Sequence, residues 1–202
     1  MNFSRLIEMP FSRLVKKILG YDEIYAMAIR KGYPGMLIDG RKDFFSIIRE
    51  KNDHWYADPI LYSFCGKTYL FAEAYSRTIF RGHIVVMEIF DDMSHTEVVD
   101  VIKEPYHMSF PMVFSWNDNM YMLPEASENR SINLYKAPSF PYKWELVKQF
   151  VVKEQYVDTI VLKKYPTKIE CLTSIVFEGN PLLVKYQKFF IIIEGGDIKI
   201  KW

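Results

Sequence analysis

Residues 104–125 read EPYHMSFPMVFSWNDNMYMLPE, two apolar runs around Asn117-Asp118-Asn119, and this stretch decides the fold because the chain contains it twice. The earlier copy is ADPILYSFCGKTYLFAEA at residues 57–74, where two similar runs flank Cys65-Gly66-Lys67; its later counterpart is SFPMVFSWNDNMYMLPEA at 109–126. Pro59 and Pro111, Tyr69 and Tyr121, and Glu73 and Glu125 are each 52 residues apart. β-rich runs separated by turn residues predict a hairpin in each copy.

Working outward, each copy continues into a third run, GHIVVMEIF (82–90) or RSINLYKA (130–137), and a fourth, EVVDVI (97–102) or WELVKQF (144–150). Ile84 and Ile132, and Val99 and Val147, are 48 residues apart, so the loop inside the second unit is shorter. One unit is therefore a meander of four strands. A third unit starts at YVDTI (156–160), with LTSIVFE (172–178) as its second strand, Glu178 near the place of Glu73 and Glu125, and VKYQKFFIIIE and DIKIKW as further strands. Tandem four-stranded units predict an all-β propeller, because a blade alone leaves both faces exposed. The units fall near 54–102, 106–150 and 156–202, in a propeller-type domain over 21–202. Two more strands, DEIYAMAI (22–29) and DFFSII (43–48), precede them across the turn KGYPG. Closure takes about 4–8 blades. Either these strands join the last ones in a composite fourth blade, or the propeller is incomplete, and unpaired edges then predict a homo-oligomer.

Composition narrows the function. A chain of 202 residues, half of them hydrophobic, has enough length for a buried core, and its 14 Tyr and 15 Phe suit strands and sugar-facing surfaces. Lys+Arg 26 against Asp+Glu 25 leaves a formal charge of +1, with no electrostatic footprint for nucleic acid. Cys65 and Cys171 form no metal-ligand cluster and read as free thiols of a reducing, cytoplasmic compartment. Residues 1–20 lack an uninterrupted apolar core, so they read as an arm or a short amphipathic helix rather than a signal peptide, and no run reaches transmembrane length. His107 has no partner at metal-ligand spacing, and no glycine-rich phosphate loop or nucleophile motif occurs, so neither metal nor cofactor is expected.

ADPILY, YLFAEA, HMSFPMVF, YMLPEAS, INLYKAPSFPYKWEL and VDTIV together resemble the five-bladed propeller domain at the N-terminus of plant glucosamine inositolphosphorylceramide transferases, a domain found also in bacterial polysaccharide-related proteins. That domain is similar to family 43 and related five-bladed glycoside hydrolases. The likeness covers residues 24–160. It implies a carbohydrate or glycolipid ligand and a glycosyltransferase partner in polysaccharide or glycolipid assembly. By motif, Asp58 matches the hydrolases' first-blade acid; the other two acids have no clean counterpart, and Asp158 corresponds by repeat position only.

Glycoside hydrolysis needs one protonated and one ionised carboxyl group flanking the bond. Asp58 and Asp158, on the first strands of two units, can converge on a central channel, with Glu125 as the acid if burial raises its pKa. A non-catalytic propeller uses the same carboxyls for sugar hydroxyls, with Trp55, Tyr56, Tyr106 and Trp116 as stacking faces. Arg30 is a partner for a carboxylate or phosphate. Glu73 is placed below Glu125 because a repeated glutamate also serves blade construction. His107 and Ser109 have no such twins, Trp55 and Ala57 standing 52 residues earlier. Three readings follow: a carbohydrate-binding or carbohydrate-processing propeller, an active hydrolase using Asp58 with Glu125 or Asp158, and a structural or protein-interaction propeller.

Overall fold

A computed structural model describes residues 26–32, 45–50, 53–177, 180–194 and 196–202. The expected arm at residues 1–20 and Glu178 lie outside them. Fourteen strands occur in this part of the chain, twelve of them in three antiparallel four-stranded meanders. The first blade is β3 (His54–Phe64), β4 (Lys67–Ser76), β5 (Arg81–Ile89) and β6 (Val99–Ile102). The second is β7 (Ser109–Trp116), β8 (Asn119–Ala126), β9 (Ser131–Ser139) and β10 (Lys143–Val151), and the third is β11 (Gln155–Lys164), β12 (Lys168–Phe177), β13 (Asn180–Glu194) and β14 (Asp197–Lys201). Ahead of them, β1 (Met27–Ile29) and β2 (Ser46–Ile48) pair with each other. Among the described residues they pair with no strand of the third blade.

Turn chemistry fixes the hairpins. Cys65 and Gly66 (φ 49° and 74°) and Asn117 and Asp118 (φ 46° and 59°) are all left-handed, as a two-residue turn between twisted strands requires.

The first two blades are covered on both faces, which explains why β4, β5 and β8 are buried along nearly their whole length instead of alternating. Successive side chains of β4 point to opposite sides. Leu70, Ala72 and Ala74 pack with Met27, Ile29 and Ile48 of the small sheet. Tyr69 and Phe71 instead pack with Val113, Met120 and Met122 of the second blade. A third core joins the second and third blades, with Phe114, Leu123 and Leu134 against Ile169, Phe189 and Ile191. The inner strands β3, β7 and β11 are consecutive neighbours.

All three inner strands share one irregularity. Register shifts fall between Ala57 and Ile60, Ser109 and Met112, and Val157 and Ile160. Inside each lies a residue with positive φ: Asp58 (50°), Phe110 (44°) and Asp158 (53°). A bulge leaves one residue out of the ladder and re-aims its side chain. The pairing also corrects one sequence expectation. Ala57 pairs with Glu73 and Ser109 with Glu125, but the equivalent Val157 pairs with Ser174, so Ser174 and not Glu178 occupies the glutamate position of the third blade.

Candidate functional site

The bulge in β3 and the pairing of β3 with β4 place Asp58 and Glu73 side by side. The backbone N–H of Phe110, on the inner strand of the next blade, donates to Oδ2 of Asp58 at 3.3 Å. Glu73 is only 4% exposed, and its Oε1 has no hydrogen-bond partner. Against it lies Gly82 of β5, where a Cβ would collide with the Glu73 carboxyl and approach the Met108 carbonyl oxygen to 2.6 Å. Glycine is required here by space, not by its dihedrals.

His107 closes the other side. Its Nδ1 accepts the N–H of Gly82 at 3.0 Å, which leaves the proton on Nε2, and Nε2 faces Oε1 of Glu73 at 3.5 Å. Its own backbone N–H donates to Oε2 of Glu128. Burial lowers the His107 pKa, against the opposing pull of Glu128 and Asp58. Burial first, then the negative charges of Asp58 and Glu125, push Glu73 up to about 8. A neutral imidazole therefore faces a protonated carboxyl at neutral pH.

Glu125 repeats the Glu73 position one blade on. It accepts the Ser127 hydroxyl at 2.7 Å and the backbone N–H of Asp158, and burial, then Asp158 and Asp58, raise its pKa. Asp158 is raised by burial and by Asp58. The charge of Asp58 thus acts on each of the other three carboxyls. A cavity of about 520 Å³ opens beside Asp58, Glu73 and His107, walled by Trp55 and Tyr75 and backed by Ala26–Ala28. Its size lies within the usual range for small ligands, roughly 300–1,000 Å³. The Trp55 and Tyr75 rings stack, centroids 4.8 Å apart and planes 21° from parallel.

Of the residues singled out in the sequence, Trp55, Tyr56, Asp58, Glu73 and His107 line this cavity. Glu125 and Asp158 stand next to it through their coupling to Asp58, and Ser109 is buried opposite Glu125. Three others are elsewhere. Trp116 is in the core between the second and third blades, its indole N–H donating to the Tyr165 carbonyl at 2.6 Å. The Tyr106 hydroxyl accepts from the Asn133 amide at 2.9 Å, and the Arg30 guanidinium lies 4.9 Å over the Phe45 ring. Sequence reasoning missed Tyr75 and Gly82. Tyr75 pairs with Trp55 across the ladder, and Gly82 stands where the 48-residue offset puts Arg130 in the second unit. Among the described residues, no group of three His, Cys, Asp or Glu side chains is arranged to hold a metal ion.

Comparison with known proteins adds the following. The sequence family described as glucosamine inositolphosphorylceramide transferase 1, N-terminal, matches residues 48–174. Glucosamine inositolphosphorylceramide transferase 1 of Arabidopsis thaliana is 36% identical over 107 residues, which are 52% of this chain and 14% of that protein. The protein of the same name from Oryza sativa subsp. indica is 33% identical over 98 residues, 48% of this chain and 13% of the relative. The chain thus matches only a small part of the length of these curated relatives. Among solved structures, an α-L-arabinofuranosidase from Lactobacillus brevis superposes with a TM-score of 0.56 at 13% identity, over 72% of this chain and 56% of the other. A family 43 β-1,3-galactosidase bound to galactodeoxynojirimycin gives 0.53 at 18% identity, over 74% and 46%. At these identities the likeness is one of fold.

Proposed function

Because the chain belongs to the family described as glucosamine inositolphosphorylceramide transferase 1, N-terminal, we propose that it is a carbohydrate-binding or carbohydrate-processing propeller serving polysaccharide or glycolipid assembly, with the sugar held in the cavity beside Asp58 and Glu73. The observation that carries this reading is the buried Oε1 of Glu73, which accepts no hydrogen bond among the described residues, the His107 Nε2 standing off at 3.5 Å. A buried polar atom left unpaired costs about 1–3 kcal/mol. A sugar hydroxyl or ammonium entering the cavity removes that cost. The stacked Trp55 and Tyr75 rings provide an apolar face beside the acids, as a pyranose ring with one apolar face requires.

The clustered carboxyls favour a cationic ligand, and the relatives carry glucosamine in their name. A hexosamine ammonium beside Asp58 and Glu73 draws Glu73 towards its ionised form and releases its proton. Calorimetric titration with glucosamine, glucose and N-acetylglucosamine tests this. Glucosamine is expected to bind tightest, and Asp58→Asn and Glu73→Gln each to weaken it about tenfold, the loss of one charge-assisted hydrogen bond. Absence of binding by all three sugars overturns the sugar-site reading, and equal affinities overturn only the preference for an amine.

A hydrolytic variant of this reading has one specific support: Glu73, raised to about 8, is a carboxylic acid at neutral pH next to Asp58, the pairing that glycoside cleavage uses. Turnover of aryl-glycosides and oligosaccharides is then expected to fall steeply in Asp58→Asn. Equal turnover by the variant and the wild type removes the hydrolytic variant while leaving the binding site intact. A glycosyltransferase acting on the same glycan is the protein partner this function implies. The unpaired thiols of Cys65 and Cys171 support a reducing, cytoplasmic setting.

A further inference from the structure

The hairpin that joins β4 to β5 is longer than its counterpart in the second blade. Beyond the pair Glu73 and Ile84 it continues for three more pairs, to Ser76 and Arg81. Beyond Glu125 and Ile132 the second blade continues for one, Ala126 and Ser131. Two extra residues per strand carry the first tip roughly 7 Å further out, at ~3.4 Å per residue. The two tips also differ in chemistry. The second is Ser127-Glu128-Asn129-Arg130, whereas the first is Arg77-Thr78-Ile79-Phe80, followed by Arg81.

Ile79 is 60% and Phe80 77% exposed. Both tips end in a left-handed residue, Phe80 at φ 54° and Arg130 at φ 48°. For Phe80 this adds conformational strain to the exposure of an apolar ring, and among the described residues no hydrophobic core takes the ring up. The tip is nonetheless held firmly. Asp53 accepts from the Ser76 hydroxyl at 2.6 Å and the Thr78 N–H at 3.2 Å, its carbonyl accepts the Arg77 N–H at 3.0 Å, and the Ser76 hydroxyl accepts the Ile79 N–H at 3.3 Å. Two apolar side chains are thus presented outward on a rigid support, with an arginine at each foot.

We propose that this tip docks the protein on a phospholipid bilayer, with Ile79 and Phe80 at the boundary between headgroups and acyl chains and Arg77 and Arg81 at the level of the phosphates. The projecting hairpin and its small apolar area favour a bilayer over a protein. A Phe buries roughly 150–250 Å², so the tip supplies a fraction of the roughly 800 Å² per partner that a specific protein interface uses. At a bilayer surface, binding strength adds buried apolar area to the attraction of basic groups for anionic lipid, so an apolar tip with basic flanks suits weak, reversible docking. Arg77 also pairs with Glu50 at 2.8 Å, so Arg81 carries more of the phosphate contact. Tyr75 of the cavity wall is one pair below the base of the turn, so docking brings the cavity mouth close to the headgroup layer. Vesicle binding and sugar binding are separate readouts, and this inference stands or falls by the first alone.

The test is sedimentation of the full 202-residue chain with phosphatidylcholine vesicles, with and without phosphatidylserine. The wild type is expected to sediment with both. The double variant Ile79→Ser, Phe80→Ser is expected to lose at least about tenfold in partitioning, from the apolar area removed, with an unchanged melting curve. In Phe80→Trp, vesicles are expected to shift emission to the blue relative to wild type. A wild type that stays in the supernatant with both vesicles overturns the proposal. So does a double variant that sediments like wild type, which places any adsorption elsewhere, and so does a tip that captures a protein while ignoring vesicles.

Discussion

Raising the pH from 6.5 to 8 is expected to cost the protein about 2 kcal/mol of stability, and Glu73→Gln is expected to remove most of that loss. In the folded chain the Glu73 pKa stands at about 8, against 4.5 when the chain is unfolded. Between these values the folded state keeps a proton that the unfolded state has lost, so stability falls as pH rises. The contribution is complete below pH 4.5 and gone above about 8, with a slope of about 1.4 kcal/mol per pH unit. Glu125 and Asp158, also raised, act in the same direction. His83 and His107 act in the opposite one, because burial lowers both from 6.5 and their folded forms resist protonation. Below pH 6.5 the two kinds of group oppose each other; above it the histidines are silent and Glu73 dominates. Urea unfolding at half-unit steps from pH 6.5 to 8 reads the slope directly. A flat wild-type profile, or a Gln variant with the wild-type slope, contradicts the assignment of the buried proton to Glu73.

The repeat was legible in the sequence because β3 and β4 match β7 and β8 closely enough that one offset relates Pro59 to Pro111 and Glu73 to Glu125. Burial on both faces was legible too, in runs such as Leu70-Phe71-Ala72 that do not alternate. The bulges were hidden. Asp58-Pro59 and Phe110-Pro111 look like ordinary strand residues beside prolines, and the third bulge, at Asp158, has no proline at all. Counting along the chain led to Glu178 where register gives Ser174, since strand pairing rather than spacing determines which residues face one another. The enclosure of Glu73 was hidden for a related reason. What encloses Glu73 is Gly82 and main chain and imidazole from residues 107 and 108, none of them its neighbours in sequence. The distance of Trp116 from the cavity was not legible either, because an aromatic at a strand end carries no sign of which end it occupies; six residues after Phe110, it lies roughly 20 Å from the bulge, at ~3.3 Å per residue.

Gly82→Ala is expected to cost about 2–3 kcal/mol, at the upper end of what overpacking a tight site does. The φ of Gly82 is not in the left-handed region, so the effect comes from the added carbon alone. That carbon meets the Glu73 carboxyl on one side and the Met108 carbonyl oxygen on the other. The backbone cannot retreat. The Gly82 N–H is held by Nδ1 of His107 and its carbonyl by the Met108 N–H at 3.0 Å, while Met108 is fully buried. The carboxyl is the softer obstacle, so a paired Glu73→Ala change is expected to relieve part of the strain, with a coupling energy of about 1–2 kcal/mol in a double-mutant cycle. The remaining cost belongs to the Met108 carbonyl, which no side-chain change removes. Thermal or urea melts of the two single variants and the double variant give the cycle. An alanine variant that loses only the part of this cost owed to the Met108 carbonyl means that the Glu73 carboxyl swings clear of Gly82 into the cavity, where solvent reaches it. Its raised pKa then collapses, and the loss of stability between pH 6.5 and 8 disappears in that variant as well, so the two measurements check each other at the same carboxyl group.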